Sequence, residues 1–97
     1  MIMYEKYLEA LYDRHNSFYK KAKVLFEDSG KIILRSYNTN VAYIENGDLF
    51  VEGLYSATTT RHIKEFMTQY GFDYKNASDI MKRYNAQRKN CYAFENM

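Results

Sequence analysis

The chain contains no proline and no tryptophan, only two histidines, four glycines and a single cysteine among its 97 residues. The lone Cys91 excludes an intramolecular disulfide and any cysteine cluster around zinc, and it suits an intracellular, reducing setting. No apolar run approaches the ~20 residues that a membrane-spanning helix needs. The opening Met1-Ile2-Met3-Tyr4-Glu5-Lys6 lacks the basic-then-apolar order of a secretory signal. Glycine-rich phosphate loops, HExxH, paired cysteines and EF-hand spacing are all missing. A Cys91–His62 or Cys91–His15 couple can be drawn, but no neighbouring residue in the sequence activates either partner. The expectation is a protein without a cofactor, a metal or enzymatic activity.

What is present suits one soluble α+β domain over residues 1–97, with 46% hydrophobic and 27% charged residues. The net charge of +2 is unevenly spread. Residues 1–57 hold 7 basic and 8 acidic groups, whereas residues 58–89 hold 7 basic and 3 acidic ones. A segment of that balance can meet phosphate or an acidic protein surface, or can simply be a solvated helix face. Eleven tyrosines suit a partner surface, because each joins a large contact area to a polar tip. Tyr, Asn and Lys are also enriched where a genome is AT-rich, so composition alone does not decide.

Residues 2–15 read as an amphipathic helix, with Met3, Tyr7, Leu8, Leu11 and His15 on one stripe. Asn16-Ser17 is a stop, although without glycine or proline the helix could continue to Ala22. The period then changes. Lys23–Glu27 and Lys31–Tyr37 are strand-like runs joined by Asp28-Ser29-Gly30. Val41–Glu45 and Asp48–Tyr55 flank Asn46-Gly47, the strongest short signal for a two-residue type I′ hairpin. That loop fixes the pairs Glu45–Asp48, Ile44–Leu49, Tyr43–Phe50, Ala42–Val51 and Val41–Glu52. Opposed residues share a face. Ala42, Ile44, Leu49 and Val51 should therefore pack on helices, while Val41, Tyr43, Phe50 and Glu52 stay at least partly open. Helices follow over Thr58–Tyr70, stopped by Gly71, and from Asn76 onward, where Asn76 caps and Asp79 reciprocates. The predicted architecture is a four-stranded antiparallel meander packed against helices, in the order α-ββββ-α-α.

The densest chemistry lies where the last strand meets a helix. Ser56, Thr58, Thr59 and Thr60 place four hydroxyls within five positions, followed by Arg61 and His62. A helix start carries unpaired N–H groups and a partial positive charge, yet no carboxylate appears before Glu65. The cluster predicts an anionic counterpart, either a ligand or partner group or a carboxylate from elsewhere in the fold. In the plainer structural reading, Ser56 or Thr58 caps the helix and Arg61 pairs with Glu52 or Glu65. The Ser36–Asn40 turn should lie at the same end of the sheet, making either a binding site or a hydrogen-bonded seam. A second candidate surface combines Tyr43 and Phe50 with the basic side chains Lys82, Arg83, Arg88 and Lys89 of the last helix.

Two blocks carry a resemblance. Ser36-Tyr37-Asn38-Thr39-Asn40-Val41-Ala42 and Tyr55-Ser56-Ala57-Thr58-Thr59-Thr60-Arg61-His62-Ile63-Lys64-Glu65-Phe66 resemble a family of small bacteriophage and mobile-element proteins. Its pattern is a Ser-Tyr-x-Thr-x-Val-Ala strand and an aromatic-Ser-x-Thr-Thr-x-Arg-His-Ile-x-Glu-Phe junction. Phe18–Ala22 is similar as well, so the likeness spans residues 18–71. That family carries no established activity, and the resemblance implies an origin rather than a mechanism. It implies a small accessory protein in the cytoplasm of a bacterial host, occupying a surface of a host protein. A defence inhibitor such as an anti-CRISPR protein is one such role. The alternative expectation is a nucleic-acid-binding module using the basic C-terminal helices, whose affinity would fall steeply with salt.

Overall fold

A computed structural model of the protein describes residues 1–13, 18 and 20–86. The Asn46-Gly47 pair adopts the left-handed conformations that a type I′ loop demands, with φ of 54° and 82°. The strands on either side pair in the register that the loop dictates: Glu45 opposes Asp48, Ile44 Leu49, Tyr43 Phe50 and Ala42 Val51. The sheet built outward from this hairpin comprises β1 (Ile2–Tyr7), β2 (Ala22–Glu27), β3 (Ile32–Ser36), β4 (Thr39–Glu45) and β5 (Asp48–Val51). All neighbours are antiparallel, in the spatial order β1-β2-β3-β4-β5. Two helices follow, α1 (Ala57–Gln69) and α2 (Ala77–Tyr84).

This corrects the predicted architecture. The sheet has five strands rather than four, and residues 2–7 form its first strand instead of a leading helix. All six side chains of β1 are exposed, so no buried face imposes a period on its sequence. The strand is made by its neighbour. Tyr4 stacks on Phe26 with ring centroids 4.6 Å apart, and Lys23 Nζ lies 3.2 Å from Glu5 Oε1. Cross-strand pairing has outweighed the helical spacing of Met3, Tyr7 and Leu8. His15, the last residue of the expected stripe, lies outside the described residues. β5 also ends earlier than expected, at Val51 rather than Tyr55.

The core lies on one face of the sheet. Val24, Leu34, Ala42, Leu49 and Val51 meet Ile63, Phe66 and Met67 of α1 and Ile80 of α2. Each of these larger apolar side chains contributes about 1.5–3 kcal/mol by leaving water. Val41, expected on the open face, is buried in this core instead. Leu34 pairs with Ala42 but Arg35 with Asn40, so Val41 is the extra residue of a β-bulge, and the bulge re-aims its side chain. Gly71 (φ 81°) ends α1 in a Schellman arrangement, with Phe72 N–H donating to Met67 O and Gly71 N–H to Thr68 O. Among the described residues no helix is long and apolar enough to cross a membrane.

Candidate functional site: junction and outer sheet face

At the start of α1 the hydroxyl cluster is used internally. Ser56 is the N-cap, its Oγ accepting from Thr59 N–H at 3.1 Å. Thr60 Oγ1 donates to Ser56 O at 2.8 Å, and Thr58 is half-buried. Thr59 turns inward, its Oγ1 2.9 Å from Ser36 Oγ at the end of β3. Ser36 Oγ in turn lies 2.8 Å from His62 Nδ1. The Ser36–Asn40 turn and the helix start thus converge as the sequence suggests, and what they form is a buried hydrogen-bonded seam. Ser36, Thr59 and His62 are all at most 4% exposed.

His62 is the unusual member. Its ring is fully buried against the edge of Phe18, 4.7 Å between centroids, and Tyr37 lies 5.9 Å away. One ring nitrogen faces Ser36, while Nε2 has no hydrogen-bond partner among the described residues. Burial and the adjacent Arg61 guanidinium hold the imidazole neutral, pushing its pKa down to about 4 against a partial opposing effect of Asp13.

The anionic counterpart of Arg61 is neither Glu52 nor Glu65. It is Asp13, whose Oδ1 lies 3.2 Å from Nη2 and whose Oδ2 lies 3.3 Å from Nε. Glu65 has a different task. Its buried carboxylate accepts the Tyr12 and Asp13 N–H groups at 2.8 Å each on Oε1, and Gln69 Nε2 at 2.7 Å on Oε2. One helix face therefore receives the chain that leaves β1, and a cleft of about 260 Å3 lies among Tyr12, Asp13, Arg61, Lys64 and Tyr74. Of the residues that complete this region, Ser36 was expected here with its turn and Glu65 as a partner of Arg61 rather than as an acceptor for the chain after β1, whereas Asp13 was not expected at all. Asp13 left no signal in the sequence, because its contacts with Arg61 and Glu65 span 48 and 52 residues.

The sheet face opposite the helices carries the second candidate surface. Leu25, Ile33, Tyr43 and Phe50 form one cross-strand row there, outside the core cluster, with Leu25 and Ile33 buried and Tyr43 and Phe50 half-buried. Tyr43 and Phe50 stack at 4.9 Å and 14°, and Lys31 Nζ sits 4.3 Å from the Tyr43 ring centre. Partial burial and the carboxylates of Glu52 and Glu45 raise the Tyr43 phenol above its usual pKa. On α2, Lys82 is exposed. Arg83 is drawn onto its own helix region, 3.5 Å from Asp79 Oδ2 and donating to Asp73 O at 3.0 Å. These two cations lie apart from the Tyr43–Phe50 row, since α2 packs on the opposite face of the sheet. Arg88, Lys89 and Cys91 fall outside the described residues, as does the tail. Among the described residues no group of His, Cys, Asp and Glu is arranged to hold a metal ion.

The model of a family of unknown function, DUF8033, matches residues 6–83, well over half of the chain, and the protein belongs to that family. Neither the curated proteins nor the solved structures provide a match.

Proposed function

We propose that this member of the DUF8033 family is a non-enzymatic protein that acts by binding another protein. The observation that carries the reading is the outer sheet face. A stacked Tyr43–Phe50 pair under Lys31 lies there on the side away from both helices, bordered by carboxylates on β4 and β5 and by cations on β2 and β3. Aromatic anchors inside a rim of mixed charge are the composition of recognition surfaces. The Ser36–Thr59–His62 seam supports the same reading, because a nucleophile and base sealed in the core cannot reach a substrate.

In its finer form the reading is a phage accessory protein that acts in the bacterial cytoplasm. There it blocks a host defence protein, with an anti-CRISPR role as one instance. The support is the resemblance of Ser36–Ala42 and Tyr55–Phe66 to phage proteins. The nucleic-acid alternative has less to draw on: Arg61 is held by Asp13, and of the two exposed cations of α2 Arg83 is already paired with Asp79, while Arg88 and Lys89 lie outside the described residues. Capture from a bacterial host lysate with the wild type and a Tyr43→Ala/Phe50→Ala variant tests the proposal. A partner retained by the wild type and lost by the folded variant is expected. Equal capture by both proteins, or none by either, refutes it.

A further inference from the structure

The two edges of the sheet are not alike. Beyond β5, Val51 forms a parallel bridge with Asn85, and α2 packs beside the same strand. Beyond β1 no strand follows among the described residues. Exposed apolar surface gathers at this second edge. Met1, Ile2, Met3, Tyr4 and Tyr7 are 41–91% exposed, and Leu11 and Tyr12 continue the run. Soluble sheets usually blunt such an edge with proline, several charges or a covering element. β1 has one glutamate, one lysine, a bulge at Met3 and no proline.

The direction of hydrogen bonding alternates along an antiparallel strand. Leu8 N–H donates inward to Ala22 O at 2.9 Å, so Lys6 and Tyr4 also point their backbone groups into the sheet. Glu5 and Tyr7 therefore present N–H and C=O outward. Opposed residues share a face, so a twofold axis relating two copies of β1 must pass opposite a single residue. Centred on Glu5, the pairing sets Glu5 against Glu5. Centred on Lys6 it sets Lys6 against Lys6, and centred on Tyr7 it sets Glu5 against Glu9. Registers nearer the N-terminus would rely on Met3, where the bulge breaks the ladder. Like charges thus oppose self-pairing, eased at Glu5 by its ion pair with Lys23, while among the described residues no strand pairs with the backbone of this edge.

We propose that the outer edge of β1 is a strand-addition site for an extended segment of another protein. The segment runs antiparallel to β1, with a basic residue opposite Glu5, an acidic residue opposite Lys6 and apolar residues opposite Tyr4 and Tyr7. Main-chain hydrogen bonds supply the adhesion, and the two charge pairs select register and direction. The inference rests on the binding-protein reading and names the mode of contact.

The test uses the whole protein and fluorescent ten-residue peptides with the core Val-Glu-Lys-Val or the swapped core Val-Lys-Glu-Val, read by anisotropy. The first peptide should bind about fivefold to tenfold more tightly, since each cross-strand charge pair is worth about 0.2–1 kcal/mol. A Glu5→Lys/Lys6→Glu protein, checked for folding by circular dichroism, should invert that preference. Equal affinities, no binding of either peptide at millimolar concentration, or a concentration-dependent dimer of the protein alone overturns the proposal. The lysate experiment with Tyr43→Ala/Phe50→Ala reads a different face, so either result can fail while the other stands.

Discussion

Acidification should destabilise this protein through one side chain. His62 is fully buried, its Nε2 has no acceptor among the described residues, and its pKa lies near 4. In the unfolded chain the imidazole returns to about 6.5. Because the folded value is depressed, the unfolded state binds more protons between pH 6.5 and 4. The stability is then complete above about pH 6.5 and is lost as pH falls through that window. A difference of about 2.5 units corresponds to about 3.4 kcal/mol, of which about 2 kcal/mol is gone by pH 5. For a domain of this length that loss lowers Tm by about 8–16 °C. Urea unfolding followed by circular dichroism at pH 7.5, 6.5, 5.8 and 5.0 measures it, with His15→Gln as the background so that one histidine titrates. His62→Gln should start less stable, having lost its packing on Phe18, yet show a nearly flat profile over the same range. Equal slopes for the two proteins would refute the reasoning, as would a parent protein equally stable at pH 7.5 and 5.0.

Glu65→Ala removes the acceptor for Tyr12 N–H, Asp13 N–H and Gln69 Nε2. It should cost about 3 kcal/mol in denaturant unfolding and speed amide exchange at residues 12 and 13. Ser56→Ala removes the N-cap of α1 and should cost about 1 kcal/mol, seen as a shift in urea midpoint at constant m-value. Gly47→Val forces a β-branched residue to φ 82° in the type I′ loop, and a loss of about 1–2 kcal/mol is expected by thermal unfolding.

The β4–β5 hairpin was legible because Asn-Gly constrains the backbone locally, and the alternation on either side then fixes every pair. The caps were legible for the same reason: Ser56 to Thr59 N–H and Asn76 to Asp79 N–H are contacts over three residues. β1 was not, since a strand with no buried face carries no period that reports its conformation, and the stripe Met3, Tyr7, Leu8 imitates a helix. Val41 was misplaced because one inserted residue changes which face a side chain takes, and bulges leave no mark in the alternation around them. At the junction, the demand for a negative charge beside Arg61 could be read from the missing first-turn carboxylate. That Asp13 meets the demand could not, because the pairing depends on where the chain after β1 crosses α1. The burial of His62 was hidden for the same reason, since Ser36 comes from another element.

Residue-resolved amide exchange along β1 tests most directly the claim that the sheet ends in an open strand. Slow exchange at Tyr4, Lys6 and Leu8 alternating with fast exchange at Glu5 and Tyr7 is the predicted pattern. Protection of Glu5 and Tyr7 equal to that of their neighbours, or no protection anywhere from residue 4 to residue 8, would contradict it.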